Sequence, residues 1–265
     1  WLAYRFDRCS FCQGQVKMLN LESLAFDYEP YPIGIARPAV PSDVYREMVR
    51  TFPTPDLFRD RSDKGSKFAL SRHNNRGNYY RHIKNTEVWR EFYAYIDSKR
   101  FIEETLDSLA AKRIDLGLRR RGTGTRMIER FRAIKKGAPM PHFPKLSARF
   151  EFSTMPVAGG SIKPHSDNPT KIITMVLSIL EEGEWDETIG GGTSVVWPKD
   201  PSRSFNQVNA YLDFDDVEVL KTFPFQPNQC LCFIKTYNSW HAVWPMTGND
   251  PSKLRKTLTI NIESS

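Results

Sequence analysis

The chain of 265 residues is short of the features that place a protein quickly. It has four cysteines, five histidines and no run of 18 apolar residues. Without such a run, nothing in the sequence reads as a membrane-spanning helix. The cysteines fall as Cys9-x-x-Cys12 and Cys230-x-Cys232. The first pair has zinc-finger spacing, but no matching second pair accompanies it, which argues against a zinc site. The second lies in the apolar run Cys230-Leu231-Cys232-Phe233-Ile234 and reads as same-face packing. Nothing demands an oxidising compartment, and the expected location is cytoplasmic. The chain opens on Trp1 rather than Met, so it reads as trimmed or incomplete, and a preceding targeting segment stays open. Internal repeats and low-complexity linkers are also missing. With 40% apolar and 26% charged residues, the composition is that of a globular protein and excludes a mainly disordered one.

Charge is unevenly spread. Between Lys112 and Lys136 ten basic residues face two acids, Asp115 and Glu129, a balance of +8 against a whole-chain net of +7. The rest of the chain is therefore near neutral. A solvated basic face and a clamp for an anionic substrate or carrier both fit this stretch. Nucleic acid is not an expected partner, because no recognised binding motif accompanies the basic run. Within it, Arg119-Arg120-Arg121-Gly122-Thr123-Gly124 reads as a mobile loop rather than a helix, since glycine disfavours helix.

The chain reads as one domain with two halves, a helical part over 1–145 and a β-rich core over 146–265. Pro41-Ser42-Asp43 starts a helix through Val44, Tyr45, Met48 and Val49 that Pro53 ends. Asn85-Thr86-Glu87 opens a second through Val88, Trp89, Phe92, Tyr93, Tyr95 and Ile96, and a third runs through Phe101, Ile102, Leu106 and Leu109. The polar and aromatic stretch Arg72–Arg81 ahead of them reads either as a solvated loop or as a segment lying over the site. After residue 146 the pattern becomes a period of two or short buried runs. Strands are expected at 148–154, 172–180, 193–197, 217–222, 230–236 and 256–262, separated by Gly/Pro/Asn turns such as Gly190-Gly191-Gly192. Many short strands with turn signals indicate a mainly β fold, a barrel or jelly roll fronted by helices.

The chemistry-bearing stretch is Lys163-Pro164-His165-Ser166-Asp167-Asn168, taken with His241 and Arg255. On an extended segment a histidine and a carboxylate two residues apart point to the same side. With His241 they form a two-histidine, one-carboxylate set that leaves metal positions open, which suits non-heme Fe(II) and O2 chemistry. Trp185, Trp197, Trp240 and Trp244 cluster around these strands and read as packing.

The order His165-x-Asp167, a Gly-Gly turn into Thr193-Ser194-Val195-Val196-Trp197, His241, then Arg255-Lys256-Thr257-Leu258-Thr259 resembles the 2-oxoglutarate- and Fe(II)-dependent dioxygenases, most closely their prolyl-4-hydroxylase-like branch. The resemblance covers about residues 146–263. It implies a double-stranded β-helix, a jelly-roll barrel open at one end, and a reaction that hydroxylates an unactivated C–H while releasing succinate and CO2. It implies His165, Asp167 and His241 as iron ligands and Arg255 as the partner of the distal carboxylate of 2-oxoglutarate. Thr257 shares the inward face of Arg255 and is a further donor to that carboxylate. The substrate class is left as small-molecule or peptidyl, anionic in one version. A metal-free jelly-roll module binding a sugar or an anion is the rival reading.

Several positions depart from the family pattern. Fourteen positions separate His241 from Arg255, and Met246-Thr247-Gly248-Asn249-Asp250-Pro251-Ser252 reads as a turn insertion that absorbs the excess. The run Thr174-Met175-Val176-Leu177-Ser178 has no tyrosine where many members place one against 2-oxoglutarate. Asp167 in place of Ala or Gly favours hydroxylation over halogenation, and Asn261 replaces the second arginine of the nucleic-acid demethylases.

Overall fold

The second half of the chain is divided between two antiparallel sheets. The computed structural model describes residues 18–61, 66–118, 123–137, 144–250 and 252–264. From residue 146 the strands run β5 (Leu146–Pro156), β6 (Ile162–His165), β7 (Lys171–Ser178), β8 (Thr193–Pro198), β9 (Val217–Phe223), β10 (Cys230–Ile234), β11 (His241–Val243) and β12 (Leu254–Ser264). Strands β5, β7, β10 and β12 belong to a large sheet, and β6, β8, β9 and β11 to a four-stranded one in the order β6-β11-β8-β9. The chain thus shuttles between two antiparallel sheets, as a double-stranded β-helix requires. The sheets stay separate, so the barrel is not closed.

The first half supplies more than helices. Strands at Ala25–Asp27, Ile33–Ala36, Arg59–Arg61 and Lys67–Leu70, which precede β5 in the chain and are β1 to β4, extend the large sheet to eight strands in the order β1-β2-β10-β7-β12-β5-β4-β3. Sequence reading missed all four, because strands of three or four residues carry too few alternations to register as a period. The expected helices are present as α1 (Ser42–Arg50), α3 (Glu87–Ile96) and α4 (Lys99–Ala111). Ser98 caps α4, its hydroxyl accepting from the Phe101 amide at 3.1 Å.

Two segments differ from expectation. From Arg76 the stretch read as a loop or site cover is a helix, α2 (Arg76–Asn85). Its Tyr79 is buried against Phe150 and Phe152, and the hydroxyl donates to the Phe150 carbonyl at 3.0 Å. The second is helix α5 (Thr123–Lys135), which includes Gly124, where a loop was expected. Arg119, Arg120 and Arg121 lie outside the described residues, as do Cys9 and Cys12.

The helices cover one face of the large sheet. Phe150 and Phe152 of β5, Ile173, Met175 and Leu177 of β7, and Leu258, Ile260 and Ile262 of β12 share a buried cluster with Trp89, Phe92 and Phe101. Phe152 meets Trp89 at 4.8 Å and Phe52 at 5.6 Å, edge to face, each such pair worth about 0.5–1.5 kcal/mol beyond area burial. Cys230 and Cys232 point into this core, and burial pushes the Cys230 thiol up to about 12. They are packing residues, as expected. On the opposite face two smaller clusters join the sheets. One holds Tyr31, Ile33, Leu231 and Phe233 with Val195 and Phe223, and the other Met155, Val243 and Met246. Between them lies a cavity lined by polar and apolar side chains together. Among the described residues no helix is long and apolar enough to cross a membrane.

Candidate metal centre and its cavity

His165 and His241 meet because their strands pair. His165 closes β6, His241 opens β11, and the two are direct register partners with ring centroids 4.3 Å apart. Facing residues on adjacent antiparallel strands are the nearest neighbours a sheet provides. Asp167 arrives differently from the sequence argument. It lies past the end of β6 with φ 69°, in the left-handed region, so a turn rather than strand periodicity swings its carboxylate toward the imidazoles. The turn is braced by Leu212 N–H donating to the Pro164 carbonyl at 3.0 Å and by the Ser239 hydroxyl donating to the Ser166 carbonyl at 3.3 Å.

One ligand atom from each of His165, Asp167 and His241 lies within 4.8 Å of the others, the spacing of donors that can share one ion. Each histidine has Nδ1 beside a carbonyl oxygen, that of Lys163 at 2.9 Å for His165 and that of Ser239 at 2.8 Å for His241. A carbonyl only accepts, so each Nδ1 carries the proton and each Nε2 offers its lone pair. Burial and the neighbouring His165 pull the His241 imidazole down to about 3, so it is neutral at ordinary pH. Tyr211 stacks on His165 at 5.2 Å and Phe233 packs on His241 at 4.5 Å, which holds both rings in place.

Asp167 is buried, which by itself raises a carboxyl pKa. The Lys171 ammonium beside it holds it well below the usual carboxylate range. Lys171 Nζ donates to Oδ1 at 2.7 Å, and the Thr174 hydroxyl donates to Oδ2 at 3.0 Å. Thr174 Oγ1 also lies 3.2 Å from Asn261 Oδ1. Sequence reading named neither Lys171 nor Thr174 as a site residue. Lys171 follows Asp167 by four positions at the start of β7, and that spacing carries no period of its own.

Arg255 lies at the other end of the cavity. Along β12 the residues Arg255, Thr257 and Thr259 line the cavity while Leu258 and Ile260 face the helices, so the expected register is the observed one. Lys256 points away and lies 3.8 Å from Glu184. Arg255 is 4% exposed, and its Nε donates to the Gly191 carbonyl at 2.6 Å while its guanidinium lies 4.7 Å over Phe225. No carboxylate among the described residues pairs with it. Burial without a counter-charge pulls it down to about 10. Gly191 is needed where it stands. Its φ is +80°, and a Cβ there would come within 2.9 Å of Trp185 and 3.4 Å of Arg255. In the segment expected as a turn insertion after His241, the Thr247 and Gly248 amides donate to the Ile189 and Val157 carbonyls at 3.1 and 3.0 Å.

The cavity has a volume of about 90 Å³ and takes in all three candidate ligands together with Arg255 and Thr257. Four residue steps along β12 lead from Arg255 to Thr259, roughly 13 Å of strand. Ser153 lines it between the two ends, opposite Thr257, and its buried hydroxyl has no hydrogen-bond partner among the described residues. A buried unpartnered hydroxyl is a place for a polar ligand atom. At the position where a tyrosine is missing, β7 presents Thr174 and Val176 to the cavity.

No family model and no curated protein matches the chain. Among solved structures it is similar to a prolyl-4-hydroxylase from Pseudomonas putida, with 12% identity, TM-score 0.47, and coverage of 88% of this chain and 92% of that one. It is similar to a prolyl hydroxylase in complex with a hypoxia inducible factor peptide fragment from Trichoplax adhaerens, with 11% identity, TM-score 0.43, and coverage of 87% and 83%. A third is the non-heme alpha ketoglutarate dependent epimerase SnoN from nogalamycin biosynthesis, with 11% identity, TM-score 0.48, and coverage of 87% and 76%. Function is therefore read from the geometry of the site itself.

Proposed function

We propose that this chain is an Fe(II)- and 2-oxoglutarate-dependent dioxygenase of the prolyl-4-hydroxylase-like type. It hydroxylates an unactivated C–H of a small-molecule or peptidyl substrate, with O2 as oxidant and succinate and CO2 as co-products. One observation carries the reading: a single cavity holds a two-histidine, one-carboxylate cluster at one end and a buried arginine without a carboxylate partner at the other. Leaving a guanidinium buried and unpaired is unfavourable by several kcal/mol on the usual scale, so the site is built for an anion.

In this reading His165, Asp167 and His241 hold Fe(II), and the donor set fits it, with two imidazole nitrogens and one oxygen that leave positions open. Bound Fe(II) supplies the oxidative decarboxylation of the 2-oxo acid and the activation of O2. The protein's part is positional. The Lys163 and Ser239 carbonyls fix the tautomers, and Thr174 orients the Asp167 carboxylate. Arg255 grips the distal carboxylate of 2-oxoglutarate with its planar fork, Thr257 and Ser153 offer hydroxyls beside it, and Phe225 keeps water from beneath the guanidinium.

A metal-free binding module would make use of Arg255 but not of two imidazoles held with Nε2 free around a carboxylate. Two measurements test the proposal. Substrate-stimulated succinate release, with mass spectrometry for a gain of one oxygen, is the expected activity. Anaerobic Fe(II) with 2-oxoglutarate should give the weak visible charge-transfer band of a bidentate 2-oxo acid. A fully iron-loaded protein without that band would leave the binding module as the better reading.

A further inference from the structure

The triad end of the cavity holds more positive charge than metal ligation uses. Lys67 and Lys171 both line the cavity, each with a side chain under one-fifth exposed. Arg149 and Lys235 lie near them. Arg149 is 3.6 Å from Glu151, and the charge of Asp167 acts on Lys235. The acids here are Asp167, Glu151 and Glu263. Four cations against three carboxylates leave +1, a bound divalent ion raises this to +3, and the metal-chelating carboxylate of 2-oxoglutarate brings it to +2.

Each cavity lysine is held by a carboxylate that has a second claimant. Lys171 Nζ lies 2.7 Å from Asp167 Oδ1, the oxygen 3.7 Å from His165 Nε2 and therefore the one facing the candidate metal position. A metal ion at that position takes over the neutralisation of Asp167. Lys67 Nζ lies 2.6 Å from Glu151 Oε1, while Arg149 already lies beside the other oxygen of Glu151. Both ammonium groups can therefore turn to an incoming anion without stranding a buried carboxylate, which would otherwise cost several kcal/mol.

We propose that the triad end of the cavity is a substrate subsite for an oxyanion, a carboxylate or a phosphate, seated on Lys171 and supported by Lys67. The inference rests on the metal assignment above, since it is the metal that releases Lys171. It names the substrate as anionic and separates its anchor from Arg255, which serves the co-substrate at the far end. Lys235 is excluded as the seat, because its ammonium is spent on the Thr236 carbonyl at 2.7 Å and lies over the Tyr237 ring.

The test uses the protein loaded with Mn(II), a paramagnetic divalent ion, and saturated with 2-oxoglutarate. Inorganic phosphate and acetate are the two probes, followed by nuclear relaxation. Mn(II) affinity is measured first, and a wild type that does not bind Mn(II) sinks the metal assignment itself. With Mn(II) bound, saturable relaxation of one or both anions is expected, and the stronger of the two gives the oxyanion type. Lys171→Gln should weaken that anion about tenfold or more, while Lys171→Arg retains it. Mn(II) and 2-oxoglutarate should bind Lys171→Gln at least as well as wild type, which rules out a misfolded variant. Anion relaxation that is equal in Lys171→Gln or absent in wild type overturns the subsite and leaves the metal assignment standing.

Discussion

The two faces of β12 are built from the same eleven residues and do opposite work. Leu258, Ile260 and Ile262 are buried in a continuous apolar core under the helices. Arg255, Thr257, Thr259 and Asn261 are equally buried but polar, and three of them line the cavity. On one face burial is repaid by contact between apolar groups, which are close-packed and need no partner of a particular kind. On the other, each buried polar group needs a specific partner, and among the described residues Arg255 has no carboxylate partner and Ser153 Oγ, on the facing strand β5, has no hydrogen-bond partner. A strand period of two lets one segment serve stability and chemistry without mixing them. It follows that substitutions on the two faces should fail in different assays.

The sharpest break is Asp167→Ala. It removes the only carboxylate of the cluster, so turnover should fall below detection and Mn(II) affinity should drop more than tenfold, on the scale of a lost charged ligand. Thermal unfolding should remain a single cooperative transition, since the outer core is untouched. Activity comparable to wild type would dissolve the metal centre. Phe152→Ala makes the opposite cut. Truncating this buried ring among Trp89, Phe52 and Phe150 should destabilise the fold by about 3–5 kcal/mol in denaturant unfolding. Metal affinity per folded molecule should stay near wild type, and a parallel loss of metal binding would mean that the faces are not separable.

A smaller effect is expected at Arg255. The change to Lys keeps the charge but loses the bidentate fork, so 2-oxoglutarate affinity should fall by about 1.5–3 kcal/mol in equilibrium binding. Lys256→Ala, one residue away on the other face, should leave it unchanged, and a loss there instead would place the wrong side chain in the cavity. The mildest effect concerns pH in the metal-free protein. His241 in the fold protonates only near pH 3, against an ordinary value of 6.5. The unfolded chain therefore takes up a proton that the folded one refuses between those values. By linkage, stability is full above about pH 6.5 and declines as pH falls toward 3, by about 1.4 kcal/mol at about pH 5.5 for one proton. Asp167, held below its ordinary range, adds to the decline only at still lower pH. His241→Asn should flatten the slope between pH 6.5 and 5.5, and an unchanged slope would assign it to another group.

What could be read without coordinates followed from periods and from residue scarcity. The six long strands of the second half declare themselves by alternation or as short apolar runs between turn signals, and helices α1, α3 and α4 by apolar spacings near three and four. With five histidines in the chain, His165 and His241 were narrow choices. The inward face of β12 was legible as well, because Arg255 and Thr257 keep step while Lys256 falls between them. Short elements were not legible. Strands β1 to β4 are recognisable only through the neighbours that complete their hydrogen bonds, and α2 hides its apolar residues in a stretch rich in arginine and asparagine.

By itself the sequence determined a β-rich core faced by helices, the residue types for a metal and an anion, and their order along the chain. Those features depend on local chemistry and on periodicity, which a linear string carries. Only the tertiary structure decided that His165 and His241 are register partners, and that Asp167 reaches them through a left-handed turn rather than along a strand. The same is true of Arg255 lacking a carboxylate partner and of Lys171 sharing Oδ1 of Asp167 with the candidate metal position. Each is a distance between residues far apart in sequence or set by one backbone angle, and neither quantity has a period that the sequence can display.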